Sequence, residues 1–284
     1  MSDRSHWFIP TEELASRLGE PNLVVLDGSW HLATTGRNAA AEYAAAHIPG
    51  AIFFDIDTIA DTSNPLPHML PDAETFARMV GALGIGNDDR VVVYDTSGLG
   101  SAARVWWTFR VMGCGDIRIL DGGLPKWRAE GRPVDDRPVR LPAKRFTANL
   151  DPEAVADLDA VRRNLDTRGF QLVDARPAPR FTGAAPEPRP WVKSGRVPGS
   201  FNVPSGDLIA DGRLKDDAAL LAAFKAGGVD LSLPIVTSCG SGVNAATLSL
   251  ALDVLGVNRT GLYDGSWTEW GARDDLPIAT GAER

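Results

Sequence analysis

The sequence predicts an α/β protein built from two copies of one unit, each with a mainly parallel sheet flanked by helices. Short β-branched runs alternate with helical patterns along the whole chain, which is typical of parallel sheets. The motifs of the first half also recur in the same order in the second half, which indicates an internal repeat. The length of 284 residues exceeds the usual size of one domain, so two domains are expected.

The repeat is visible in four pairs of segments. The strand-like run that ends at Asp95 corresponds to the run that ends at Cys239, and a small-residue loop and a helical pattern follow each. Asp95 precedes Asp121 by 26 residues and Cys239 precedes Asp264 by 25, so the two copies also agree in length. The paired segments are 24–27 with 171–174, 47–51 with 196–200, 90–95 with 234–239, and 120–127 with 263–270.

Capping and linker signals divide the chain. Asp72 precedes the apolar helical stripe that begins at Phe76, and Asp151 before Pro152 predicts another helix beginning at that proline. Residues 131–150 are rich in Pro, Arg and Asp without a period, which is typical of a surface linker. We therefore expect a first domain, the end of the linker and a second domain at 1–140, 141–151 and 152–284.

Composition restricts the partners. A net charge of −8 and a pI of about 5.1 argue against nucleic acid or an anionic membrane as a partner. The uncharged stretch 231–252 contains Pro234, Gly240 and Gly242, so it predicts a buried strand, a turn and a buried helix rather than a membrane span. Two cysteines are too few for a disulfide framework, and the first residues lack an apolar signal core. We expect a soluble cytoplasmic protein.

Cys239 is the candidate nucleophile. It follows a strand-like run and precedes small or flexible residues and then a helix. Gly240 and Gly242 allow the backbone to curl so that N–H groups point inward, and the start of the helix adds positive potential. Such a cradle stabilises a thiolate and makes it nucleophilic at neutral pH. The alternative is an inert cysteine buried at the end of a strand.

Two sequence positions exclude some of the possible reactions. Asp95 stands in the first copy where Cys239 stands in the second, so the first domain is expected to be catalytically inactive. Cysteine phosphatases use the same loop geometry but need an arginine fork to hold the phosphoryl oxygens. Ala245 stands six residues after Cys239, at the position where that arginine normally lies. Phosphoryl transfer is therefore not expected.

Five motifs occur together along the chain, namely 47–57, 68–71, 174–181, 239–243 and 263–270. Their combination resembles the tandem-domain rhodanese superfamily and, within it, the 3-mercaptopyruvate sulfurtransferases. The resemblance covers nearly the whole chain and implies two rhodanese-like domains. It also implies that the Cys239 thiolate attacks the sulfur of 3-mercaptopyruvate, forms a persulfide and releases pyruvate. A thiol or cyanide would then accept the outer sulfur.

The resemblance implies a sulfur donor and the residues that bind it. Arg180 and Arg189 match the two substrate arginines of the family, and we expect Arg180 to contribute more. Relatives that use thiosulfate carry basic residues just after the cysteine, whereas Gly240 and Ser241 are neutral, which favours mercaptopyruvate. Thiosulfate:cyanide sulfurtransferase is the alternative, and a non-catalytic sulfur carrier or interaction module is an alternative of another class. The predicted substrate-binding residues are Arg180, Arg189, Gly240, Gly242, Val243 and Asn244.

Asp57, His68 and Ser241 match a relay proposed for this family. A hydroxyl polarised by a carboxylate-oriented imidazole can pass a proton to the pyruvate enolate, which would place the active site between the domains. The alternative is a structural histidine and a capping aspartate. Four histidines and two cysteines show no metal-ligand spacing, and we expect no cofactor and no metal. The expected partners are the small sulfur donor and a thiol acceptor such as thioredoxin.

Overall fold

Two parallel sheets with the same strand order form the protein, which a computed structural model describes for residues 3–281. In the first sheet the order is β1-β5-β4-β2-β3, and every neighbouring pair is parallel. The strands are β1 (Phe8–Ile9), β2 (Leu23–Asp27), β3 (Ile52–Phe53), β4 (Arg90–Tyr94) and β5 (Ile117–Leu120). The helices of this half are α1 (Thr11–Arg17), α2 (Ala39–Ala45), α3 (Ala73–Ala82), α4 (Ser101–Val111) and α5 (Gly123–Ala129).

The second half repeats this arrangement. Its five-stranded sheet has the order β6-β12-β11-β7-β8, again parallel throughout, and a short antiparallel pair, β9 and β10, lies apart from it. The strands are β6 (Val155–Ala156), β7 (Gln171–Asp174), β8 (Phe201–Asn202), β9 (Ile209–Ala210), β10 (Arg213–Leu214), β11 (Ile235–Ser238) and β12 (Thr260–Tyr263). The helices are α6 (Leu158–Thr167), α7 (Ala178–Phe181), α8 (Asp217–Ala226), α9 (Ala245–Val254) and α10 (Ser266–Trp270).

The common topology confirms the predicted α/β fold with two copies of one unit. In each sheet the middle strand is followed by the residue that the repeat singles out: Asp95 follows β4, and Cys239 follows β11. Ligands of parallel sheets bind outside the carboxyl ends of the strands, where the following loops and helix starts gather. Both residues therefore stand where the fold places ligand-binding groups.

Helices α4 and α9 pack against each other between the two sheets. Every residue of α4 except Arg110 is buried, and so is every residue of α9 except Asp253. The predicted strand, turn and helix within residues 231–252 are confirmed as β11, the cysteine loop and α9. Because the two helices bury each other, the domains share one interface rather than standing apart.

In the part of the chain from residue 3 to residue 281, no helix has both the length and the apolar character needed to span a bilayer.

One helix start is confirmed and one is wrong. The Asp72 side chain accepts a hydrogen bond from the Thr75 N–H at 2.7 Å, as expected of the cap of α3. The α-helix expected from Pro152 does not form, because Asp151 caps only a three-residue 3-10 helix at Pro152–Ala154 and the chain then enters β6. Pairing of β6 with β12 satisfies this backbone, and α6 begins only after Asp157, whose side chain accepts from Ala160 at 2.7 Å.

The segment 131–150 contains neither a helix nor a strand, as its composition predicts, but it is fixed to the first domain. The Lys144 N–H donates to the Gly81 carbonyl at 2.9 Å, and the Asn149 N–H donates to the Met112 carbonyl at 2.9 Å. Phe146 is 6% exposed and makes an edge-to-face contact with Phe76, with a centroid distance of 5.7 Å. The segment therefore contributes to the core of the first domain.

Replacing Phe146 with alanine should lower the free energy of unfolding by about 3 kcal/mol, because it removes a buried ring and leaves a cavity. Chemical denaturation monitored by tryptophan fluorescence measures this loss. Val134 lies in the same segment with 42% of its surface exposed, and its replacement by alanine is the matched control. Equal stability of the two variants would show that the segment does not pack as described.

Candidate active site

Cys239 is buried at the end of β11, with 3% of its surface exposed. Its N–H donates to the Ser266 hydroxyl at 3.2 Å, and that hydroxyl donates to the Tyr263 carbonyl at 2.8 Å. The Trp267 N–H donates to the Cys239 carbonyl at 3.0 Å. Ser266 has a φ of 51°, in the left-handed region that side chains other than glycine seldom adopt. The start of α10 therefore holds the backbone of the cysteine on both sides.

The loop after β4 shows what this architecture does with a negative group. The Asp95 carboxylate accepts hydrogen bonds from the N–H groups of Ser97 at 2.7 Å, Gly100 at 2.7 Å and Ala102 at 2.9 Å. Successive backbone N–H groups that point into a concave loop bind anions. In the first domain the anion is thus a side chain of the protein itself, and it occupies the cradle.

In the loop after β11, the counterpart of Ala102 is Ala246, whose N–H donates to the Val243 carbonyl at 3.3 Å, but the preceding N–H groups have no described protein acceptor. Among residues 3–281, none accepts a hydrogen bond from the backbone N–H groups of 240–245. Gly242 has a φ of 79°, so the loop curls as its glycines predict. The ten-residue helix α9 follows at once and adds its positive N-terminal end. A thiolate or a persulfide on Cys239 can therefore accept hydrogen bonds from the N–H groups of Ser241 and Asn244, the counterparts of Ser97 and Gly100.

Arg180 lies beside this loop but is already paired. A Cβ atom built on Gly240 would lie 3.2 Å from Arg180 Nη2, so the guanidinium lies directly against the loop. The same nitrogen pairs with Glu187, and Arg180 Nε donates to Glu187 at 3.2 Å. Glu187 also accepts from the fully buried Arg176 at 2.8 Å. Arg180 is consequently held in place by a carboxylate that competes with any substrate.

Arg189 is half-buried and uncommitted. Among residues 3–281, none forms a hydrogen bond or an ion pair with the Arg189 guanidinium. Burial lowers the pKa of Arg189, while the charges of Cys239, Glu187 and Asp57 act in the opposite direction and Arg180 adds to the lowering. The charges of Cys239 in the second domain and of Asp57 in the first domain therefore both act on Arg189. A guanidinium in this state can bind a substrate carboxylate.

Asp57 and His68 form a pair at the interface. His68 Nδ1 lies 2.6 Å from Asp57 Oδ1, and the Trp30 indole N–H donates to Asp57 Oδ2 at 3.0 Å. Burial alone would raise the pKa of Asp57, but the close contact with His68, the hydrogen bond from Trp30 and the charges of His68 and Arg189 outweigh burial and lower it. His68 is 5% exposed, and in the described part of the chain its Nδ1 makes only this ion-pair contact, while its Nε2 has no hydrogen-bond partner.

The remaining predicted residues lie in the loop after β11. Ser241 is buried, and its hydroxyl forms no hydrogen bond with any group in residues 3–281. Val243 is buried, whereas Asn244 is exposed and its side chain does not cap α9. The structure thus gathers Cys239, Arg180 and Arg189 near one another, and the relay through Ser241 stays a prediction.

Two further residues belong to this site although the sequence did not single them out. Ser266 corresponds to Gly123 in the first copy, and both residues have a left-handed backbone. A serine at a position that favours glycine is the sequence signal that its hydroxyl is needed there. Arg104 is a charged residue in the middle of the buried helix α4, and it forms an ion pair with Asp264 of the second domain at 2.6 Å. A charge inside an apolar helix is the corresponding signal for Arg104.

Comparison with known proteins gives consistent matches. The model of the rhodanese-like domain family matches residues 10–130 and again residues 157–273. The 3-mercaptopyruvate sulfurtransferase of Escherichia coli (strain K12) is 43% identical over 275 residues, which are 96% of this chain and 97% of the relative. A thiosulfate sulfurtransferase of Cricetulus griseus is 44% identical over 254 residues, 88% of this chain and 85% of the relative. The crystal structure of SseA from Escherichia coli aligns with a TM-score of 0.85 at 40% identity, over 93% of this chain and 99% of that one.

Proposed function

The chain belongs to the rhodanese family as two tandem rhodanese-like domains, and on that premise we propose that it is a 3-mercaptopyruvate sulfurtransferase in which Cys239 carries the sulfur. The observation that supports this role most strongly is the contrast between the two loops. Asp95 accepts hydrogen bonds from three N–H groups of its own loop, whereas no protein group among residues 3–281 accepts from the N–H groups of residues 240–245 beside Cys239. We also propose a non-catalytic first domain at 1–140, the end of the linker at 141–151 and a catalytic second domain at 152–284.

The first half of the reaction forms a persulfide. The Cys239 thiolate attacks the sulfur of 3-mercaptopyruvate, a sulfur–sulfur bond forms, and the carbon–sulfur bond breaks with its electron pair remaining on carbon. The pyruvate enolate that leaves takes up one proton, so the proton of the substrate thiol ends on the methyl group of pyruvate. The persulfide keeps a negative charge, which the N–H groups of residues 240–245 stabilise.

The arginines divide the work of holding the substrate. The uncommitted guanidinium of Arg189 binds the substrate carboxylate, since a planar fork and a carboxylate form paired charge-assisted hydrogen bonds. Arg180, fixed by Glu187 next to Gly240, faces the ketone oxygen, on which negative charge develops as the enolate leaves. Gly240, Gly242, Val243 and Asn244 form the wall of the substrate site around the sulfur.

A relay of Asp57, His68 and Ser241 supplies the proton for the enolate. Asp57 orients the imidazole through its 2.6 Å contact with Nδ1, which leaves Nε2 as the nitrogen that exchanges the proton. The Ser241 hydroxyl, two residues after the nucleophile, connects Nε2 with the departing carbon. The first domain would thus contribute the acid and base groups, and the second domain the sulfur carrier.

The second half of the reaction returns the enzyme to its starting state. A thiol attacks the outer sulfur of the persulfide, a new sulfur–sulfur bond forms on the acceptor, and the Cys239 thiolate leaves. We propose a dithiol protein such as thioredoxin as the acceptor and the cytoplasm as the location. Both described cysteines, Cys114 and Cys239, are free thiols, which a reducing compartment preserves.

Thiosulfate is the second candidate donor. One relative of similar identity is a thiosulfate sulfurtransferase, and a cradle of N–H groups can bind either anionic donor. The neutral residues Gly240 and Ser241 offer no charge for the sulfonate end of thiosulfate. Steady-state kcat/KM values for the two donors with cyanide as acceptor decide between them, and we expect mercaptopyruvate to have the higher value.

A single-turnover experiment tests the proposed reaction. Mixed with a small excess of mercaptopyruvate, too dilute for the donor's own thiol to accept the sulfur, and with no other acceptor, the protein should release one pyruvate per chain and then stop, because the persulfide cannot discharge. Addition of cyanide should restart pyruvate release. The Cys114→Ser variant, which changes the other buried thiol, should behave identically. Absence of pyruvate, or continuous release without an acceptor, would contradict the persulfide route.

A further inference from the structure

A buried arginine of the first domain contacts the catalytic loop of the second. Arg104 lies in the middle of α4, and only 2% of its surface is exposed. The guanidinium carbon lies 4.6 Å from the centroid of the Trp107 ring, over the ring face. A charge removed from water in this way is retained only where it is paired, so its partners indicate what it does.

Arg104 and Asp264 together hold the segment that carries His68. Arg104 Nη2 donates to the His68 carbonyl at 2.6 Å, and Nη1 donates to Asp264 Oδ1 at 2.6 Å. The other oxygen of Asp264 accepts from the Leu70 N–H at 2.6 Å. An ion pair that joins the two domains is thus bonded to the backbone on both sides of Met69.

The same ion pair supports the catalytic loop. A Cβ atom built on Gly242 would lie 2.7 Å from Arg104 Nη1 and 3.1 Å from the Asp264 carbonyl oxygen, so the loop rests directly on this pair. Asp264 also lies two residues before Ser266, whose hydroxyl accepts a hydrogen bond from the Cys239 N–H. One cluster therefore contacts both the histidine segment and the loop of the nucleophile.

His68 depends on such support because its backbone is strained. Its φ of 59° lies in the left-handed region, which a residue other than glycine keeps only where the surrounding contacts hold it. Asp57 holds the ring through Nδ1, and Arg104 holds the carbonyl. The direction in which the unpartnered Nε2 points is set by these two contacts together.

We propose that Arg104 is a positioning residue for sulfur transfer from mercaptopyruvate. With Asp264, it fixes the His68 backbone against the catalytic loop at the distance needed for the proton to reach the pyruvate enolate. This inference rests on the proposed function, and specifically on the relay through His68. The first domain would then contribute in two ways. It supplies the acid and base groups, and its helix α4 fixes the position of those groups relative to Cys239.

The rates of persulfide formation and of persulfide discharge, measured separately, distinguish a positioning role of Arg104 from a merely structural one. Persulfide formation needs a proton for the enolate, whereas discharge of the persulfide by cyanide yields thiocyanate and the Cys239 thiolate without any proton transfer. A residue that acts through His68 should affect the first half only. A residue that only maintains the fold or the shape of the cradle should affect both.

The test variant is Arg104→Lys. Lysine keeps the positive charge, but one ammonium group cannot serve Asp264 and the His68 carbonyl with the planar fork of arginine. We expect the single-turnover rate of pyruvate release at saturating donor to fall about 100-fold, as misplacement of catalytic groups by about 1 Å does. The rate at which cyanide discharges the preloaded persulfide should stay within about threefold of wild type. Arg110→Lys, the same change at the partly exposed arginine of α4, should leave both rates unchanged.

A His68→Gln background distinguishes the inference from the function on which it rests. Residues that act as a unit show non-additive effects, so Arg104→Lys should add less than about threefold to the loss in His68→Gln. Equal losses in both half-reactions, or fully additive losses, would overturn the positioning role alone. An unchanged pyruvate rate in His68→Gln would overturn the relay and this inference together. If Arg104→Lys does not fold, Asp264→Asn, which weakens the same contact from the second domain, is expected to show the same selective loss, and its absence would contradict the proposal.

Discussion

Replacing Cys239 with serine should abolish sulfur transfer from every donor, with turnover reduced by at least about 10⁴-fold, as is usual when a catalytic nucleophile is removed. The serine hydroxyl stays protonated at neutral pH and cannot form the sulfur–sulfur bond of the persulfide. The loop should keep its shape, because the contacts that hold this residue are made by its backbone N–H and carbonyl with Ser266 and Trp267. Turnover in the presence of cyanide measures the effect.

Controls for this variant separate chemistry from folding. Cys114→Ser replaces a thiol that is also buried but lies in the first domain, after α4, and should retain wild-type turnover. The Tm values of both variants should lie within a few degrees of wild type, because a near-isosteric change leaves no large cavity. Residual turnover of Cys239→Ser above one per cent would mean that another group carries the sulfur.

Replacing Arg189 with alanine should lower kcat/KM for mercaptopyruvate by about 30- to 150-fold. Loss of the charge-assisted hydrogen bonds to the carboxylate costs about 2–3 kcal/mol, and about 1.4 kcal/mol corresponds to a tenfold change. Most of the effect should appear in KM, because the carboxylate is bound both before and during the reaction. The sequence alone favoured Arg180 for this role, but the pairing of Arg180 with Glu187 now favours Arg189.

Two variants calibrate the Arg189 result. Lys193 lies four residues further on and pairs with Asp274 at the surface, so Lys193→Ala should change kcat/KM by less than about twofold. Arg180→Ala should lower kcat more than it raises KM, since its expected partner is the developing charge on the ketone oxygen. An Arg189→Ala variant with a KM within about threefold of wild type would show that the carboxylate is bound elsewhere.

The fold could be predicted because its signals are local and occur twice. The alternation of strand and helix patterns and the matched offsets from Asp95 and Cys239 are properties of short segments. The family match confirms the prediction of two rhodanese-like domains, and the named relatives confirm the prediction of a sulfurtransferase. The helix expected at Pro152 was wrong because pairing with β12, a strand more than 100 residues away, takes that backbone into a sheet edge.

The site could be predicted only in part, because some of its contacts join residues that are far apart in the chain. Cys239 and its glycine loop are a local motif, so the sequence is sufficient to locate them. The ion pair of Arg104 with Asp264 joins residues 160 positions apart, and no local pattern indicates which buried charge meets which. Likewise, the sequence favoured Arg180 over Arg189, and only the position of Glu187 distinguishes the paired guanidinium from the uncommitted one. Whether Ser241 completes the relay stays a prediction.

Intact-mass analysis shows whether Cys239 carries the sulfur. After incubation with mercaptopyruvate and removal of the excess donor, the wild-type protein should gain the mass of one sulfur atom. Peptide mapping should locate that sulfur on Cys239, and cyanide should remove it. A protein that turns over mercaptopyruvate without gaining this mass, or that carries the sulfur on Cys114, would show that Cys239 is not the sulfur carrier.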